Sequence, residues 1–277
     1  MRFPNLYEQL KLINVRGMPF VQNLCARAYY TSLNDDQIRA TRKSDTVFLF
    51  GSGYSVNHIT PAEWSEISKH DTLSFNWFIH QNFVRIDYHL IREICHGDLD
   101  PSIWKPKIHE YARLLCQNPY YKDCIYLIQK GWKAINGNRM LGMKLLPKDT
   151  PVFRYFNRAR GIYEPPSESF SKGIVHGAGT LIDCVNFAYI MGWKHIVLVG
   201  LDLYDRRYFW LQQDETRDAD TLRGATHQDQ HNMANSLIPY LKDWRAHFQT
   251  EKKEIFVFNP KSLLAQVLPV FSISNIS

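Results

Sequence analysis

Cysteine is scarce in this chain of 277 residues, and no two cysteines form a C-x-x-C pair. An odd total of five without paired spacing argues against a disulfide framework and a zinc site, and favours a reducing compartment. The sequence also lacks about 18 consecutive apolar residues, so we expect no membrane-spanning helix. Its start lacks the apolar segment of a secretory signal. Together these absences predict a cytoplasmic protein.

Internal repeats and low-complexity tracts are missing as well. The composition is 45% hydrophobic, 14% aromatic and 22% charged, which excludes disordered and fibrous classes. At roughly 150 residues per domain, the length predicts one large domain or one domain with a small appendage.

The net charge of +6 arises from two segments of the chain. Residues 1–43 carry seven basic and three acidic side chains, and residues 130–172 carry nine basic and three acidic ones. Such an excess indicates an anionic partner, which could be nucleic acid, a membrane surface or a phosphorylated small molecule. No nucleic-acid motif accompanies the charge, so we expect no nucleic-acid partner.

The order of apolar runs predicts an α/β fold. Residues 1–44 are interpreted as a basic, helical N-terminal extension. The apolar run Thr46–Phe50 then enters a Gly-Ser-Gly turn, as a buried parallel strand does. Thr60–Glu63 has the capping-box pattern of a helix start, and Thr72–Asn76 is the next strand. We therefore expect a Rossmann-like, mostly parallel sheet flanked by helices over residues 45–277.

The last third of the chain continues this alternation. An apolar helix begins at Gly179-Thr180, and the strand Ile196–Val199 follows it. After a polar stretch, the pattern predicts a helix over residues 232–249 and a strand over Ile255–Phe258.

Small or polar residues follow the strands of the predicted sheet. Open parallel sheets bind ligands outside the carboxyl ends of their strands, where loops and helix N-termini supply backbone donors. Glycine and asparagine are also ordinary turn residues, but their recurrence at four strand ends favours a ligand site. The residues are Gly51, Ser52 and Gly53; Asn76; Asp202, Leu203 and Tyr204; and Asn259.

The glycine turn lacks the signatures of the common nucleotide loops. Gly51-Ser52-Gly53 has no third glycine of a dinucleotide fingerprint, and no G-K-[ST] follows it. What remains is a turn whose backbone a nucleotide or sugar could approach closely. Gly179-Thr180 is a second candidate place for an anion, with simple helix capping by Thr180 as the competing interpretation.

Two histidines, His227 and His231, stand four residues apart in a polar stretch. On one helix face they could bind a metal, but the glutamate of H-E-x-x-H is missing and residues 224–226 indicate a loop. A histidine in such a loop serves better as a general base, because the ordinary pKa of histidine lies near neutrality. We therefore expect no metal site.

These segments, in this order, resemble the bacterial sialyltransferases of glycosyltransferase family 42. Phe48–Ser55 is similar to the family's strand and Gly-Asn-Gly-Pro-Ser loop, and Ser74–Asn76 to its Cys-Asn. Gly179–Tyr204 gives the longest match, and Asn259–Ala265 is similar to the family's Pro-Asn-Ser-Leu-Leu-Ala. The resemblance covers residues 45–90 and 175–270.

The resemblance implies a metal-independent, inverting transferase with a modified GT-A, Rossmann-like fold. Such an enzyme moves a nonulosonic acid or Kdo from a CMP-activated donor to a hydroxyl of an oligosaccharide or glycolipid, as in lipopolysaccharide or capsule synthesis. The CMP-sugar is the donor substrate, and no further cofactor is implied. Peripheral association with the inner membrane and homo-oligomerisation stay open.

The resemblance also implies roles for individual residues. Tyr204 and Tyr208 would hold the departing phosphate. The base would be His227, at the end of a small mobile lid over residues 203–227, with His231 as the fallback. The nucleotide-binding set would be Gly51, Ser52, Gly53, Asn76, Gly179, Thr180, Asp202 and Leu203.

Three positions depart from the family pattern. Ser52 stands where the family has asparagine, and Gly177 where it has an arginine. The family's cytosine-contacting asparagine has only His89 as a candidate equivalent. Residues 130–172 would then seat the donor's carboxylate or an anionic acceptor, and residues 1–43 would hold the enzyme near anionic lipid or its substrate glycolipid. The candidates to replace the missing arginine are Arg154, Arg158, Arg160 and Lys172.

A different enzyme on a similar sheet is the alternative interpretation. The pterin diphosphokinase-like proteins have a comparable Gly-Thr and Gly-x-Asp pattern. An enzyme of that kind would need ATP and a divalent metal, which separates it experimentally from a CMP-sugar transferase.

Overall fold

The centre of the protein is an eight-stranded parallel sheet. The computed structural model describes residues 6–92, 94–95, 100–131, 134–158, 163–204, 207–212 and 227–272, with side chains for all of these except 6–15 and 227–233. The strands are β1 (Thr31–Leu33), β2 (Thr46–Phe50), β3 (Asp71–Phe75), β4 (Tyr88–Ile91), β5 (Ile125–Gln129), β6 (Pro151–Tyr155), β7 (Asn157–Arg158), β8 (Ile174–Val175), β9 (His195–Val199) and β10 (Glu254–Val257).

Within the sheet the strand order is β1-β6-β5-β4-β3-β2-β9-β10, while β7 and β8 form a separate two-stranded pair. The α-helices in the described ranges are α1 (Leu6–Cys25), α2 (Asp35–Ala40), α3 (Pro61–Ile67), α4 (Pro101–Gln117), α5 (Ile135–Gly142), α6 (Thr180–Met191) and α7 (His227–Thr250). Short 3-10 helices lie at Arg27–Tyr29, Tyr54–His58, Asn76–His80, Pro119–Tyr121, Phe170–Lys172 and Leu263–Gln266. The predicted α/β fold, a Rossmann-like parallel sheet flanked by helices, is confirmed.

Both faces of the sheet are covered, which explains the uninterrupted apolar run of its central strand. All five residues of β2 are buried. Val47 and Leu49 face the apolar layer that contains Phe187 of α6, whereas Phe48 and Phe50 face the layer that contains Tyr111 of α4. Alternate side chains of β2 therefore join two cores, one on each side of the sheet.

Helix α3 begins as the capping box predicts. The Thr60 hydroxyl accepts from the Glu63 backbone N–H, and the Glu63 carboxylate accepts from the Thr60 backbone N–H. Two otherwise unpaired donors of the first turn are thus satisfied by side chains of the helix itself.

Part of the basic N-terminal segment stabilises helix α6. This helix is buried along its whole length and ends at Gly192, whose φ is 87°. The guanidinium groups of Arg39 and Arg42 donate to the carbonyls of Ile190 and Gly192, respectively. These cations pair with carbonyls at the negative end of the helix dipole.

The segment before residue 45 also contributes to the sheet. Strand β1 pairs with β6, from Thr31 opposite Pro151 to Leu33 opposite Phe153. In α2, Ile38 is fully buried. The three residues of β1 have no apolar alternation, so the sequence gives no signal for a strand there. The strand is recognisable only through its pairing with β6.

Helix α7 begins earlier than the sequence pattern indicates. We expected a loop through His227 and His231 and a helix over residues 232–249, but the helix already begins at His227. The loop prediction for these two histidines is wrong because the first turns are polar, so they lack the apolar periodicity that marks a helix. Most of the expected lid, residues 205–206 and 213–226, lies outside the described residues. No helix in the described ranges is long and apolar enough to cross a membrane.

Candidate functional site

The chain reverses its direction across the sheet next to β2. From β2 the chain proceeds to β3 on one side, whereas β9 lies on the other. In sheets of this kind the loops that leave two such strands diverge and form a crevice at their carboxyl ends. The predicted glycine turn follows β2 and the predicted aspartate follows β9, so both lie at this point.

The glycines of the first loop allow the two loops to touch. The backbone N–H of Gly53 donates to the carbonyl of Gly200 at 2.8 Å. A Cβ atom on Gly51 would lie 2.5 Å from Leu201 Cδ2, and one on Gly53 would lie 2.6 Å from Asp202 Oδ2. The β9 loop therefore occupies the space that the missing side chains leave, where the glycine turn predicts a ligand.

Asp202 connects the loops after β2, β9 and β10. It is 3% exposed, and its carboxylate accepts from Ser55 N at 2.9 Å and from Asn259 Nδ2 at 2.9 Å. Asn259 Nδ2 also lies 3.2 Å from the hydroxyl of Tyr204. Leu203, between Asp202 and Tyr204 in the chain, has a φ of 61°, a strained conformation for a residue with a side chain. Four predicted strand-end residues thus form one contiguous group.

Asn76 lies at the start of helix α6. Its φ is 48°, and its Nδ2 lies 3.4 Å from the hydroxyl of Thr180. The N-cap of α6 is Gly179, with a φ of 115°, and no side chain caps the helix. Capping by Thr180, the competing interpretation of the Gly-Thr pair, is therefore absent. Asn76 and Leu203 both have positive φ at the ends of their strands, as Lys144, Asp149 and Lys252 do elsewhere in the chain.

A buried chain of hydrogen bonds holds the backbone of Asn76. The hydroxyl of Tyr111 donates to the Asn76 carbonyl at 2.8 Å, so the oxygen of Tyr111 accepts from His89 Nε2 at 2.7 Å. His89 Nδ1 then accepts from the Ser74 hydroxyl at 2.7 Å. These directions assign the neutral Nε2–H tautomer to His89. Burial lowers the pKa of His89 to about 3, in agreement with a neutral ring.

His89 therefore cannot contact a nucleotide base, which corrects its assignment as a candidate for that role. It is fully buried, and both ring nitrogens have partners inside the protein. Its effect on the site is indirect, through Tyr111 and the backbone of Asn76.

The two candidate tyrosines contact different loops of this group. Tyr204 is 36% exposed and lies beside Asp202. Tyr208 forms an isolated antiparallel bridge with Gly53, and its ring stacks on Trp210 at 4.6 Å. The segment after β9 therefore folds back over the glycine turn.

The candidate bases occupy the first turns of α7. His227 and His231 are both helical, and the structure does not describe their side chains. Where side chains are described, no group of three or more His, Cys, Asp or Glu could hold a metal ion.

A polar cluster in the first turn of α6 was not identified from the sequence. Asp183 is fully buried and forms an ion pair with Arg92. Its second oxygen lies 2.7 Å from His176 Nδ1, and Asn157 Nδ2 donates to the first at 3.1 Å. The only sequence signal was an aspartate inside an otherwise apolar helix. Its partners are scattered between residues 92 and 176 of the chain.

The replacements considered for the missing arginine have other surroundings. Arg158 lies 3.7 Å from Glu164, and Lys172 pairs with Glu168 at 2.7 Å. Burial, with the neighbouring charge of Arg27, lowers the pKa of Arg154 to about 10. Arg160 lies outside the described residues. A cation that does contact the first turn of α6 is Arg92, which immediately follows β4 and pairs with Asp183.

Replacing Gly53 with alanine tests the contact between the loops. The new Cβ would meet Asp202 Oδ2 at 2.6 Å and the Gly200 carbonyl at 2.7 Å. Overpacking of this kind costs about 1–3 kcal/mol, and chemical denaturation should show that loss in the free energy of unfolding. Ser52→Ala is the matched control, since it adds no Cβ. Equal stability of Gly53→Ala and Ser52→Ala would contradict the loop geometry.

No protein-family model matches the chain, and a comparison with the curated proteins finds no significant match.

Proposed function

We propose that the chain is a metal-independent, inverting glycosyltransferase. It moves a nonulosonic acid or Kdo from a CMP-activated donor to a hydroxyl of an oligosaccharide or glycolipid. The observation that carries this proposal is the meeting of the β2, β9 and β10 loops around Asp202 at the point where the sheet reverses direction. The motif order that resembles glycosyltransferase family 42 gives the proposal its chemistry.

The nucleotide would lie over the carboxyl ends of β2, β3 and β9. Ser52 and Asn76 would contact the nucleoside. Thr180, at the start of α6, lies where backbone N–H groups and the helix dipole favour a phosphate. Asp202 is already bonded through both oxygens to protein donors, so in this proposal it holds the loops that form the ribose site.

The reaction breaks the bond between the anomeric carbon and the phosphate oxygen and forms a new bond from that carbon to the acceptor oxygen. Negative charge develops on the departing CMP, and phenol hydroxyls such as those of Tyr204 and Tyr208 can stabilise it without a metal cation. The proton of the acceptor hydroxyl passes to a histidine. The resemblance assigns that role to His227, with His231 as the fallback.

A thermal-shift panel tests the proposal. CMP at a hundredfold excess over its dissociation constant would stabilise the fold by about 2.7 kcal/mol, which raises the melting temperature by on the order of 5 °C. We expect this shift with EDTA present, and larger shifts with CMP-sialic acid or CMP-Kdo. Stabilisation by ATP with Mg²⁺, together with indifference to CMP, would contradict it and favour a diphosphokinase-like enzyme.

A matched pair of variants locates the binding site. Thr180→Val removes the hydroxyl that lies 3.4 Å from Asn76 Nδ2 and should reduce the CMP-dependent shift. Thr250→Val makes the same change at an exposed position at the end of α7 and should leave the shift unchanged. Equal CMP shifts in the two variants would place the nucleotide elsewhere.

A further inference from the structure

We propose that His176, oriented by Asp183, is the general base of the transfer reaction. The inference rests on the proposed function and assigns the proton-accepting role to a residue outside the resemblance. It starts from a pair of side chains that has the geometry of an activated histidine.

The first step is the contact between the two side chains. His176 Nδ1 lies 2.7 Å from Asp183 Oδ1, and the carboxylate is fully buried. The other oxygen, Oδ2, accepts from the Arg92 guanidinium and from Asn157 Nδ2. Because Arg92 and Asn157 both donate to Oδ2, Oδ1 is left to accept a hydrogen bond from His176 Nδ1.

The second step is the tautomer that this contact selects. If the Asp183 carboxylate accepts a hydrogen bond from His176 Nδ1, the hydrogen of the neutral ring is on Nδ1. The lone pair is then on Nε2. The His176 side chain is 28% exposed, and within the described part of the chain no residue bonds its Nε2. A carboxylate behind Nδ1 also stabilises the imidazolium that forms when Nε2 takes a proton. This is the arrangement of histidine bases in acyl transfer.

The third step is the placement of the ring. His176 directly follows β8 and precedes Thr180 by four residues, so it lies on the same loop as the predicted phosphate site. The loop is fixed on both sides, because His176 N donates to the Arg158 carbonyl and Gly177 packs against the ring of Tyr240. A base on such a loop keeps its position while a substrate binds.

The fourth step concerns the alternative that His176 is only structural. Arg92 already balances the charge of Asp183, and Asn157 supplies a second donor. The histidine is therefore not needed to neutralise the buried carboxylate. A partly exposed ring attached to a buried ion pair is better explained as a group that exchanges protons with a ligand.

The proton balance of the step is simple. The acceptor hydroxyl gives its proton to His176 Nε2 while its oxygen bonds to the anomeric carbon. The bond from that carbon to phosphate breaks, and its electron pair leaves with CMP. The imidazolium of His176 then returns its proton to water.

The test compares His176→Asn with His109→Gln. The amide nitrogen of Asn replaces Nδ1 as a donor to Asp183, so the fold is retained while Nε2 is lost. His109, exposed on α4, is the matched histidine control. We expect His176→Asn to slow release of CMP from CMP-sialic acid or CMP-Kdo in the presence of acceptor by about 10²–10⁴-fold. The CMP-dependent thermal shift of His176→Asn should stay at the wild-type value, and His109→Gln should release CMP at the wild-type rate.

Two results would overturn the inference while leaving the proposed function intact. One is wild-type turnover in His176→Asn, and the other is loss of its CMP-dependent shift, which would make His176 a nucleotide contact. A wild-type protein that neither binds CMP nor releases it would instead contradict the proposed function. The contact between His176 and Asp183 is tested separately by ¹⁵N NMR of the histidine ring, which should show the Nδ1–H tautomer at His176. An Nε2–H tautomer would overturn the inference by itself.

Discussion

Replacing Arg92 with methionine is expected to lower the free energy of unfolding by about 3–5 kcal/mol. The change leaves the Asp183 carboxylate, which is fully buried, without the guanidinium that balances its charge. Removing one partner of a buried ion pair costs more than the pair contributes, because the remaining charge stays desolvated. Urea denaturation at neutral pH measures the effect, which should be the largest of any single ion-pair substitution proposed for this chain.

Two further variants show whether the loss comes from the unpaired charge. Lys194→Met breaks the pair with Asp45, in which both side chains are about half exposed, and should cost less than about 1 kcal/mol. Arg92→Met combined with Asp183→Asn should recover part of the stability, because no buried charge is left. A cost for Arg92→Met no larger than that for Lys194→Met would contradict this explanation.

The sequence predicts the parts of the fold that depend on short stretches of chain. The apolar runs of β2 and β9 and the capping box at Thr60 and Glu63 are local patterns, and each appears as expected. Strand β1 depends on pairing with β6, more than a hundred residues later, and its three residues have no apolar pattern. Such an edge strand cannot be recognised before its partner is known.

For the candidate site, the positions of several residues could be predicted from the sequence, but their contacts could not. Gly53, Asn76 and Asp202 were predicted from their positions after strands, because the carboxyl ends of parallel strands share one edge of the sheet. What each residue contacts was not predictable. The glycines contact a neighbouring loop, and the partners of Asp183 come from separate elements. Contacts between distant segments are set by packing, which no local pattern encodes.

Acidification is expected to destabilise the protein through His89. Burial lowers the pKa of His89 to about 3 in the folded protein, whereas an unfolded histidine titrates near 6.5. Between these values the unfolded chain binds a proton that the folded protein does not. The stabilisation is therefore complete above pH 6.5 and is lost as the pH falls toward 3. By pH 5 the loss from this residue alone reaches about 2 kcal/mol.

Urea denaturation of the wild type and His89→Gln at pH 7 and pH 5 measures this contribution. The variant should be less stable at pH 7, because it disturbs the contacts with Ser74 and Tyr111, but its stability should fall less on acidification. Burial also lowers the pKa of His195. His195 and the carboxylates are present in both proteins, so their effects cancel when the stability change of the variant is subtracted from that of the wild type. His109→Gln should keep the wild-type pH dependence. If His89→Gln also keeps it, protonation of His89 does not limit stability in acid.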